Sequence, residues 1–146
     1  MAHKATLRAF CAAAVCLLLA CCAKPAYYEE FIRADEAESG IYSFTLDLAD
    51  TLCTYDISFY ISPVHTKVPA DTSRVGRCLP VYVVWTGPQD ESFEEMVYMD
   101  PGQTVQPYRQ GVEMAVLGDW KLDLRPMEVP SGFRGIGIIC HRNDQE

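Results

Sequence analysis

The sequence lacks the short motifs that mark common catalytic and ligand-binding sites. It contains no His-Glu-x-x-His, no Gly-x-Ser-x-Gly, no phosphate-cradling Gly-x-x-x-x-Gly-Lys and no Cys-x-x-Cys. Histidine is scarce too, with three in 146 residues. These absences give no support to a hydrolase, a phosphate-binding loop, a thioredoxin-like motif or a zinc knuckle. We therefore expect no catalytic residue, no cofactor and no metal.

Positive charge is also in short supply. The chain has 12 Lys and Arg against 20 Asp and Glu, so its formal net charge at pH 7 is −8. An acidic protein is repelled by the phosphate backbone that supplies most of the affinity of nucleic-acid-binding proteins. Nucleic acid is therefore not expected as a partner.

No apolar run is long enough to span a bilayer as a helix, which takes about 20 residues. Residues 9–20 form an uncharged run of twelve residues behind Lys4 and Arg8, and this is typical of a secretory signal. The run ends in Leu18-Leu19-Ala20-Cys21, which resembles the lipobox of bacterial lipoproteins, in which the cysteine is acylated and becomes the first mature residue. A plain signal with a chance cysteine, or a buried N-terminal helix, is the alternative interpretation.

The lipobox interpretation divides the chain into three parts. Residues 1–20 are the lipoprotein signal peptide, residues 21–39 the lipid anchor and tether, and residues 40–146 the folded domain. Loss of Lys4 and Arg8 with the signal moves the formal charge from −8 to −10. Two or more acyl chains hold a protein stably in a membrane, and lipid on Cys21 makes the membrane the first expected partner.

The residues that follow Cys21 predict the membrane. Position 22 is Cys rather than Asp, so the usual signal for retention in the inner membrane is absent. An acidic run, common after the lipid cysteine of surface-exposed lipoproteins, does not follow at once either. We therefore expect a lipid-anchored protein of the outer membrane that faces the periplasm.

The cysteines of the mature chain leave two alternatives open. Cys22, Cys53, Cys78 and Cys140 remain beside the lipidated Cys21. An exported chain can keep disulfides, so a bridge among Cys53, Cys78 and Cys140 is one interpretation. Buried free thiols that pack as small apolar groups are the other.

A hydrophobic period of two begins at Gly40 and predicts strands. Apolar residues alternate with polar ones over residues 41–48 and again over 55–61, and about five residues separate the two stretches. An antiparallel hairpin is the simplest interpretation. The segment before it, with Tyr27, Tyr28, Phe31 and Ile32, fits either a short helical face or a segment along the edge of the domain.

Further strands are predicted along the rest of the chain. A long polar loop covers residues 63–77, and a turn covers residues 100–103. The predicted strands are residues 79–85, 91–99, 112–116, 120–124 and 133–140. Regularly spaced strands without a long helical pattern favour an antiparallel β-sandwich or barrel. We predict an all-β fold, a single antiparallel β-sandwich of about seven to eight strands.

Few side chains carry a pattern that suggests chemistry. Asp47, Asp50 and Asp56 cluster in the predicted hairpin, where carboxylates can bind calcium, although ordinary turn acids explain them as well. Trp85 and Trp120 can form a sugar-binding platform, but their register favours the core. His141 follows Cys140, and neighbours on a strand face opposite sides, which argues against a nucleophile–base pair.

Several segments resemble the GldH-type gliding-motility lipoproteins. These segments are Tyr27-Tyr28-Glu29-Glu30-Phe31, Phe44 with Asp47 and Tyr55-Asp56-Ile57-Ser58-Phe59, Gly118-Asp119-Trp120 through Met127, and Gly135-Ile136-Gly137-Ile138. The chain departs from that family before the first strand, where Gly40-Ile41 replaces an expected tryptophan, and in the long loop of residues 63–77. The resemblance implies a non-enzymatic accessory component of gliding-motility and protein-secretion machinery.

These observations lead to one expected function and one alternative. The expected function is a membrane-anchored, non-enzymatic envelope lipoprotein that binds other envelope proteins through its strand edges or through the loop of residues 63–77. The alternative is a ligand- or glycan-binding lipoprotein of the outer membrane that uses exposed tryptophan or tyrosine. An enzyme would need a pocket that joins His65 or His141 to carboxylates.

Overall fold

The computed structural model describes residues 26–62, 78–129 and 132–144. The predicted signal peptide, the predicted lipid-attachment residue Cys21, Cys22, His65 and the loop of residues 63–77 lie outside the described residues. Within them, no helix is long and apolar enough to cross a membrane.

Two four-stranded antiparallel sheets make up the described part of the chain, which confirms the predicted β-sandwich. The strands are β1 (Tyr27–Arg33), β2 (Tyr42–Leu48), β3 (Cys53–Ile61), β4 (Leu79–Thr86), β5 (Ser92–Met99), β6 (Val105–Val112), β7 (Gly118–Pro126) and β8 (Gly135–Asp144). Sheet I has the order β1-β8-β3-β6, and sheet II has the order β2-β7-β4-β5. Each sheet therefore has two edge strands, which are β1 and β6 in sheet I and β2 and β5 in sheet II.

The core lies between the sheets and follows from the period-two pattern. In β2, the side chains from Tyr42 to Leu48 alternate strictly between buried and exposed, and β3 and β4 bury every second residue in the same way. Each fully buried large side chain contributes about 1.5–3 kcal/mol. No polar or charged residue is buried among the described residues, so this apolar core supplies the main stabilisation of the sandwich.

The predicted hairpin between residues 41–48 and 55–61 is wrong, although both strands exist. β2 pairs with β7 in sheet II, whereas β3 pairs with β6 and β8 in sheet I. The short connection between them therefore crosses from one sheet to the other. Alternation shows only that one face of a strand is buried, and two strands that face each other across a core show the same alternation as two strands paired in a hairpin.

The strand predicted for residues 112–116 is also misplaced. The structure has β6 at Val105–Val112, and Met114 and Val116 pack against the core from the connection to β7. β6 contains Pro107 and has two register shifts against β3, so bulges break the alternation that would reveal it. The strands predicted at residues 79–85, 91–99 and 120–124 are confirmed as β4, β5 and β7, and the last strand continues past Cys140 to Asp144.

A strand, β1, lies before the boundary predicted at Gly40. β1 pairs with β8 over all seven of its residues, from Tyr27 opposite His141 to Arg33 opposite Gly135. Tyr28 and Ile32 pack against the core, while Phe31 stacks on Tyr60 with ring centroids 5.6 Å apart. The segment predicted as a tether therefore contains an edge strand. Its apolar residues contact both faces of the sheet instead of lying on one face of a helix.

Candidate functional site

Side chains from both sheets close one open side of the sandwich, between β5 and β6. Four aromatic rings are stacked across it in the order Phe93, Trp85, Tyr108 and Phe59, with adjacent centroids 5.6, 6.2 and 4.4 Å apart. Such ring pairs add about 0.5–1.5 kcal/mol beyond their buried area. The rings come from β5, β4, β6 and β3, so the stack joins sheet II to sheet I.

A hydrogen-bond network runs beside this stack. The Tyr108 hydroxyl accepts a bond of 2.8 Å from Trp85 Nε1 and donates to the carboxylate of Glu95. Arg109 Nη2 lies 2.5 Å from Glu95 Oε1, and its guanidinium sits 5.2 Å from the centre of the Tyr108 ring. Burial, with a smaller effect from Glu95, raises the pKa of Tyr108 to about 12. The phenol therefore stays protonated at neutral pH and links the two edges.

A pocket of about 140 Å³ lies near the other open side. Strands β1, β2, β3 and β8 and the residue before β1 line it with Ala26, Tyr28, Leu46, Asp47, Tyr55, Cys140 and Arg142. An apolar cavity of about 150 Å³ is large enough to hold benzene. The pocket therefore has room for one apolar side chain or a ligand group of similar size.

The thiol and the two phenols of this pocket are held in their neutral forms. Burial is the largest cause that raises the pKa of the Cys140 thiol to about 11 and the pKa of the Tyr55 phenol to about 12. Burial likewise raises the pKa of Tyr28, helped by the hydrogen bond that its hydroxyl donates to Glu30. A nucleophilic cysteine needs a lowered pKa. The pocket is therefore suited to packing against an apolar group and not to nucleophilic attack.

Arg142 supplies positive charge at the rim of this pocket. Its side chain is 19% exposed, with Nη1 3.8 Å from Asp50 Oδ2 and Nε 3.2 Å from Asp144 Oδ1. The Nε atom is buried and has no hydrogen-bond partner, so the contact with Asp144 is an ion pair without hydrogen-bond alignment. Its backbone N–H donates to Ala26 O over 2.8 Å, which holds the start of β1 beside the pocket.

Three of the four edge strands carry features that discourage a further strand. β1 has Glu30 and β5 has Glu95, each opposite a buried residue of its neighbour and so directed inward. β6 has Pro107 and the register shifts. Inward charges, proline and bulges are common protections of exposed strand edges.

β2 differs from the other three edges. Its seven residues pair with β7 without interruption, and every inward residue is apolar and buried. Its outward residues are Ser43, Thr45 and Asp47, and the only charge in the strand is that of Asp47. Because β2 has neither proline nor a bulge, its outer edge keeps a regular row of backbone groups beside the pocket.

The three aspartates considered as a calcium site do not come together. Asp56 lies in sheet I and accepts bonds of 2.7 Å from Gly111 N and 2.8 Å from Asn143 Nδ2, which lower its pKa. Asp50 Oδ1 accepts a bond of 3.0 Å from Leu52 N in the connection between the sheets, and Asp47 belongs to sheet II. Within the described ranges, no group of three or more His, Cys, Asp or Glu side chains is arranged to hold a metal ion.

The cysteines in the described residues are free thiols; Cys53 and Cys140 are buried, as the free-thiol interpretation expects, whereas Cys78 is exposed. Cys140 lies opposite Ile57 of β3, and Cys53 lies four residues before Ile57 on the same strand. The two cysteines are therefore about 13 Å apart. A disulfide needs Cα atoms within about 7 Å. Cys140 is buried and His141 is exposed against the ring of Tyr27, which agrees with the expectation that they face opposite sides.

Both tryptophans are core residues, as their register predicts. Trp85 is 3% exposed and Trp120 is 5% exposed, and their rings meet edge to face with centroids 5.9 Å apart. Trp120 Nε1 donates to Val116 O over 3.0 Å. Neither ring is available as a platform for a sugar.

The pocket itself was not predicted from the sequence. Its lining comes from four strands that are distant along the chain, and only the pairing of β1 with β8 and of β2 with β7 places them together. The uninterrupted apolar alternation of β2, without Lys or Pro, is the one sequence signal that points to this side. No protein-family model matches this chain, and a search of curated proteins finds no significant match.

Proposed function

We propose that the chain is a non-enzymatic envelope lipoprotein, held in the outer membrane by lipid on Cys21, whose β-sandwich binds another envelope protein. The observation that carries the binding role is the regular edge of β2, which has no proline, bulge or inward charge, beside a pocket lined in part by Leu46 and by the protonated Cys140 and Tyr55. An open sheet edge is a template for pairing with another chain.

The distance from Cys21 to the sandwich supports a domain held close to the bilayer. Ala26 is five residues after Cys21, and five residues extend over at most about 17 Å. The end of the sandwich where β1 and β3 begin therefore faces the membrane. Leu52, 75% exposed, and Tyr27 lie at this end, where an apolar group and an amphipathic ring suit a lipid–water interface.

The resemblance to the GldH-type family supports a narrower role. The similar segments fall in β1, β2, β3, β7 and β8, so they include all four strands that line the pocket. On this basis the protein is an accessory component of gliding-motility and protein-secretion machinery, and it faces the periplasm.

The alternative is a ligand- or glycan-binding lipoprotein that uses exposed tryptophan or tyrosine. Both tryptophans are buried in the core, and the exposed Tyr27 and Tyr98 lie in different sheets, on β1 and β5, so they form no common platform. The remaining pocket holds about one side chain, which is small for a sugar. We therefore favour binding of a protein.

Fractionation of cells that express Cys21→Ser and Cys22→Ser tests the anchor. We expect Cys21→Ser to leave the membrane fraction and Cys22→Ser to remain in it, because only the former removes the lipid-attachment residue. Persistence of Cys21→Ser in the membrane would contradict the proposal. Protease added to intact cells should not degrade the wild-type protein, and degradation would place the domain at the cell surface instead.

Crosslinking of the lipidated protein in its own envelope, followed by mass spectrometry, tests the binding role. Enrichment of components of gliding or secretion machinery is the expected result. Recovery of polysaccharide-uptake proteins alone, or of no protein, would count against it.

A further inference from the structure

The outer face of sheet II carries a contiguous apolar patch. Neighbours on a strand point to opposite faces of a sheet, so the residues between the core positions of β4 and β5 lie on this outer face. There Tyr98 lies opposite Pro80, and Met96 lies opposite Tyr82. Met127 lies beside them, because its backbone N–H donates to Pro80 O over 2.9 Å. We call these five residues the outer patch.

The exposed side chains of the outer patch are clustered. Tyr98 is 67% exposed, Met127 59% and Met96 41%. They are three of the nine large apolar side chains that are exposed among the described residues, yet they lie on two adjacent residue pairs across β5, β4 and the end of β7. Single exposed apolar residues are normal on a protein surface, whereas a contiguous patch marks an interaction site.

Charges of opposite sign lie on the two sides of the outer patch. On the outer face, Glu94 belongs to β5 and Arg125 belongs to β7. Glu94 accepts a hydrogen bond from the Tyr82 hydroxyl, which is the main reason that the pKa of Tyr82 is raised. Lys121 and Asp123, on the same face of β7, pair with each other over 2.9 Å. Arg125 forms no ion pair with another described residue.

This face is complementary to itself. In a symmetric dimer, a two-fold axis in the plane of the interface can exchange Glu94 of one copy with Arg125 of the other. The line from Glu94 to Arg125 crosses two strand spacings, about 9.6 Å, and one step of two residues, about 6.8 Å. The axis is perpendicular to this line. It therefore passes over β4 between Tyr82 and Val84, at about 35° to the strands.

Rotation about this axis has two consequences that favour a second copy as the occupant. The outer patches of the two copies cover each other while their strands cross at about 70°, close to the orthogonal class of sheet packing. The ends of the two sandwiches at which β1 and β3 begin point to the same side, each at about 35° to the axis. Lipid anchors on both copies can therefore reach the same bilayer.

We propose that two copies of this chain associate through the outer faces of sheet II. The outer patches are in contact, and Arg125 of each copy pairs with Glu94 of the other. β2 lies at the far edge of the sheet, beyond β7, so its outer edge stays open for the partner of the proposed function. The inference goes beyond that function, and only the shared bilayer rests on it.

The size of the interface predicts a weak association in dilute solution. Three strands and three residue pairs cover about 14 by 20 Å, or about 300 Å² on each copy. An interface of less than about 1,200 Å² is typical of weak, transient complexes, and the net charge of −8 on each copy opposes association. Two copies held in one bilayer have a higher effective concentration. We therefore expect the dimer at the membrane.

Site-specific photocrosslinking of the lipidated protein in its own membrane tests the proposal. A photoreactive phenylalanine analogue replaces Tyr98 or, as a matched exposed control on sheet I, Val105. We expect position 98 to give a product of twice the mass, in which mass spectrometry finds the analogue joined to β4 or β5 of an identical chain. Position 105 should give at most one-tenth of that yield.

Charge reversals test the two-fold arrangement. Arg125→Glu and Glu94→Arg each place like charges together at both contacts, and each should lower the yield at position 98 about fivefold. The double variant restores both pairs with the signs exchanged, so it should recover at least half of the wild-type yield. Arg33→Glu makes the same change of net charge as Arg125→Glu, but on sheet I, and it should leave the yield within about twofold of the wild type.

A lysine in the outer patch tests the apolar contact. Met96→Lys buries a charge without a partner between the two copies, and it should lower the yield at position 98 at least tenfold. Ser92→Lys adds the same charge on the same face of β5, outside the outer patch, and should change the yield less than twofold. Both positions are exposed, so neither variant should lower the midpoint of urea unfolding.

The outcomes separate failure of this inference from failure of the proposed function. Crosslinks from position 98 to a different protein alone, or similar yields from positions 98 and 105, would overturn the self-association. A double reversal as weak as the single ones would overturn the two-fold arrangement. Wild-type protein that is present in the membrane fraction without a self-crosslink would contradict this inference alone, whereas its absence from that fraction would contradict the anchor of the proposed function.

Discussion

At the scale of single residues, Tyr108 has a side chain that contacts both sheets. Its ring stacks on Phe59 and Trp85, and its hydroxyl accepts from Trp85 Nε1 while it donates to Glu95. Among the described residues of the aromatic stack, the Tyr108 hydroxyl is the one hydrogen-bond acceptor of the Trp85 indole N–H. Tyr108 thus accepts a hydrogen bond from the buried Trp85 Nε1. The bond that it donates offsets part of the free-energy cost of directing the Glu95 carboxylate inward.

This connectivity predicts a clear effect of Tyr108→Phe. Loss of the hydroxyl leaves Trp85 Nε1 without its acceptor, and an unsatisfied buried donor costs about 1–3 kcal/mol. The free energy of unfolding in urea should fall by that amount. Tyr98→Phe is the matched control, because Tyr98 is 67% exposed and surface changes stay within about 0.5 kcal/mol. Equal effects of the two variants would show that the hydroxyl of Tyr108 has no special role.

Raised pKa values predict a loss of stability in alkaline solution. Burial raises the pKa of Cys140 from 9.0 to about 11 and the pKa of Tyr55 from 10.0 to about 12. The unfolded chain loses these protons at lower pH than the folded chain, so stability stays level up to about pH 9 and falls as pH rises toward 12. We expect a decrease of about 2–3 kcal/mol between pH 8 and pH 10.5, most of it from Cys140.

Urea unfolding at several pH values measures this decrease. Cys140→Ala should have a shallower dependence than the wild type between pH 9 and pH 11, whatever its stability at pH 8. An unchanged slope would show that the thiol titrates alike in the folded and unfolded chains.

At the scale of strands, the attachment of β1 to β8 depends on Gly135. The residue has a φ of 151°, and a Cβ there would lie 2.2 Å from the backbone oxygen of Ile32. That oxygen belongs to β1 and cannot rotate away as a side chain would. Only glycine therefore allows the end of β1 to approach β8 at the observed register of Arg33 opposite Gly135.

We expect Gly135→Ala to lower the free energy of unfolding by about 3 kcal/mol or more and to increase hydrogen exchange in β1, since both backbone strain and a steric clash oppose it. Gly40→Ala is the control. Gly40 also has a positive φ, of 73°, but no atom lies within 4 Å of its added Cβ, so only backbone strain of about 1 kcal/mol is expected. Similar losses in the two variants would show that the clash with β1 is relieved elsewhere.

The elements also show what the sequence could and could not predict. Alternation located β2, β3, β4 and β7, because it depends only on each strand having one buried face. It could not distinguish a hairpin from a crossing between sheets, which depends on partners distant in sequence. β6 was missed because bulges and Pro107 interrupt its alternation. The pocket was missed because its lining residues come together only when β1 pairs with β8 and β2 pairs with β7.

At the scale of the whole molecule, the two open sides of the sandwich have different chemistry. The β5–β6 side is closed by stacked rings and by the contacts of Tyr108 and Arg109 with Glu95. The other side has the pocket and the regular edge of β2. Ala26, the first described residue, lines that pocket, so the side that we propose binds a partner is also the side where the described chain begins. Anchoring and binding are therefore expected at the same side of the domain.

Removal of that N-terminal part tests where the domain begins. A chain that starts at Ala26 keeps β1, and we expect it to unfold in urea at the same midpoint as full-length Cys21→Ser. A chain that starts at Gly40 lacks Tyr28 and Ile32, which pack against the core, and it turns β8 into an unpaired edge. Loss of these side chains costs about 3–5 kcal/mol, a large part of the 5–15 kcal/mol typical of a domain.

The shorter chain should therefore unfold at a much lower urea concentration, or self-associate through β8, whose residues from Gly135 to Ile138 are fully buried in the intact sandwich. Analytical ultracentrifugation beside the urea titration distinguishes the two results. Equal midpoints and a monomeric short chain would mean that β1 contributes little to the free energy of unfolding. The domain would then begin at Gly40, as the hydrophobic pattern alone predicts. A large loss would instead show that β1 stabilises the folded domain, with four residues between Cys21 and the first described residue, Ala26.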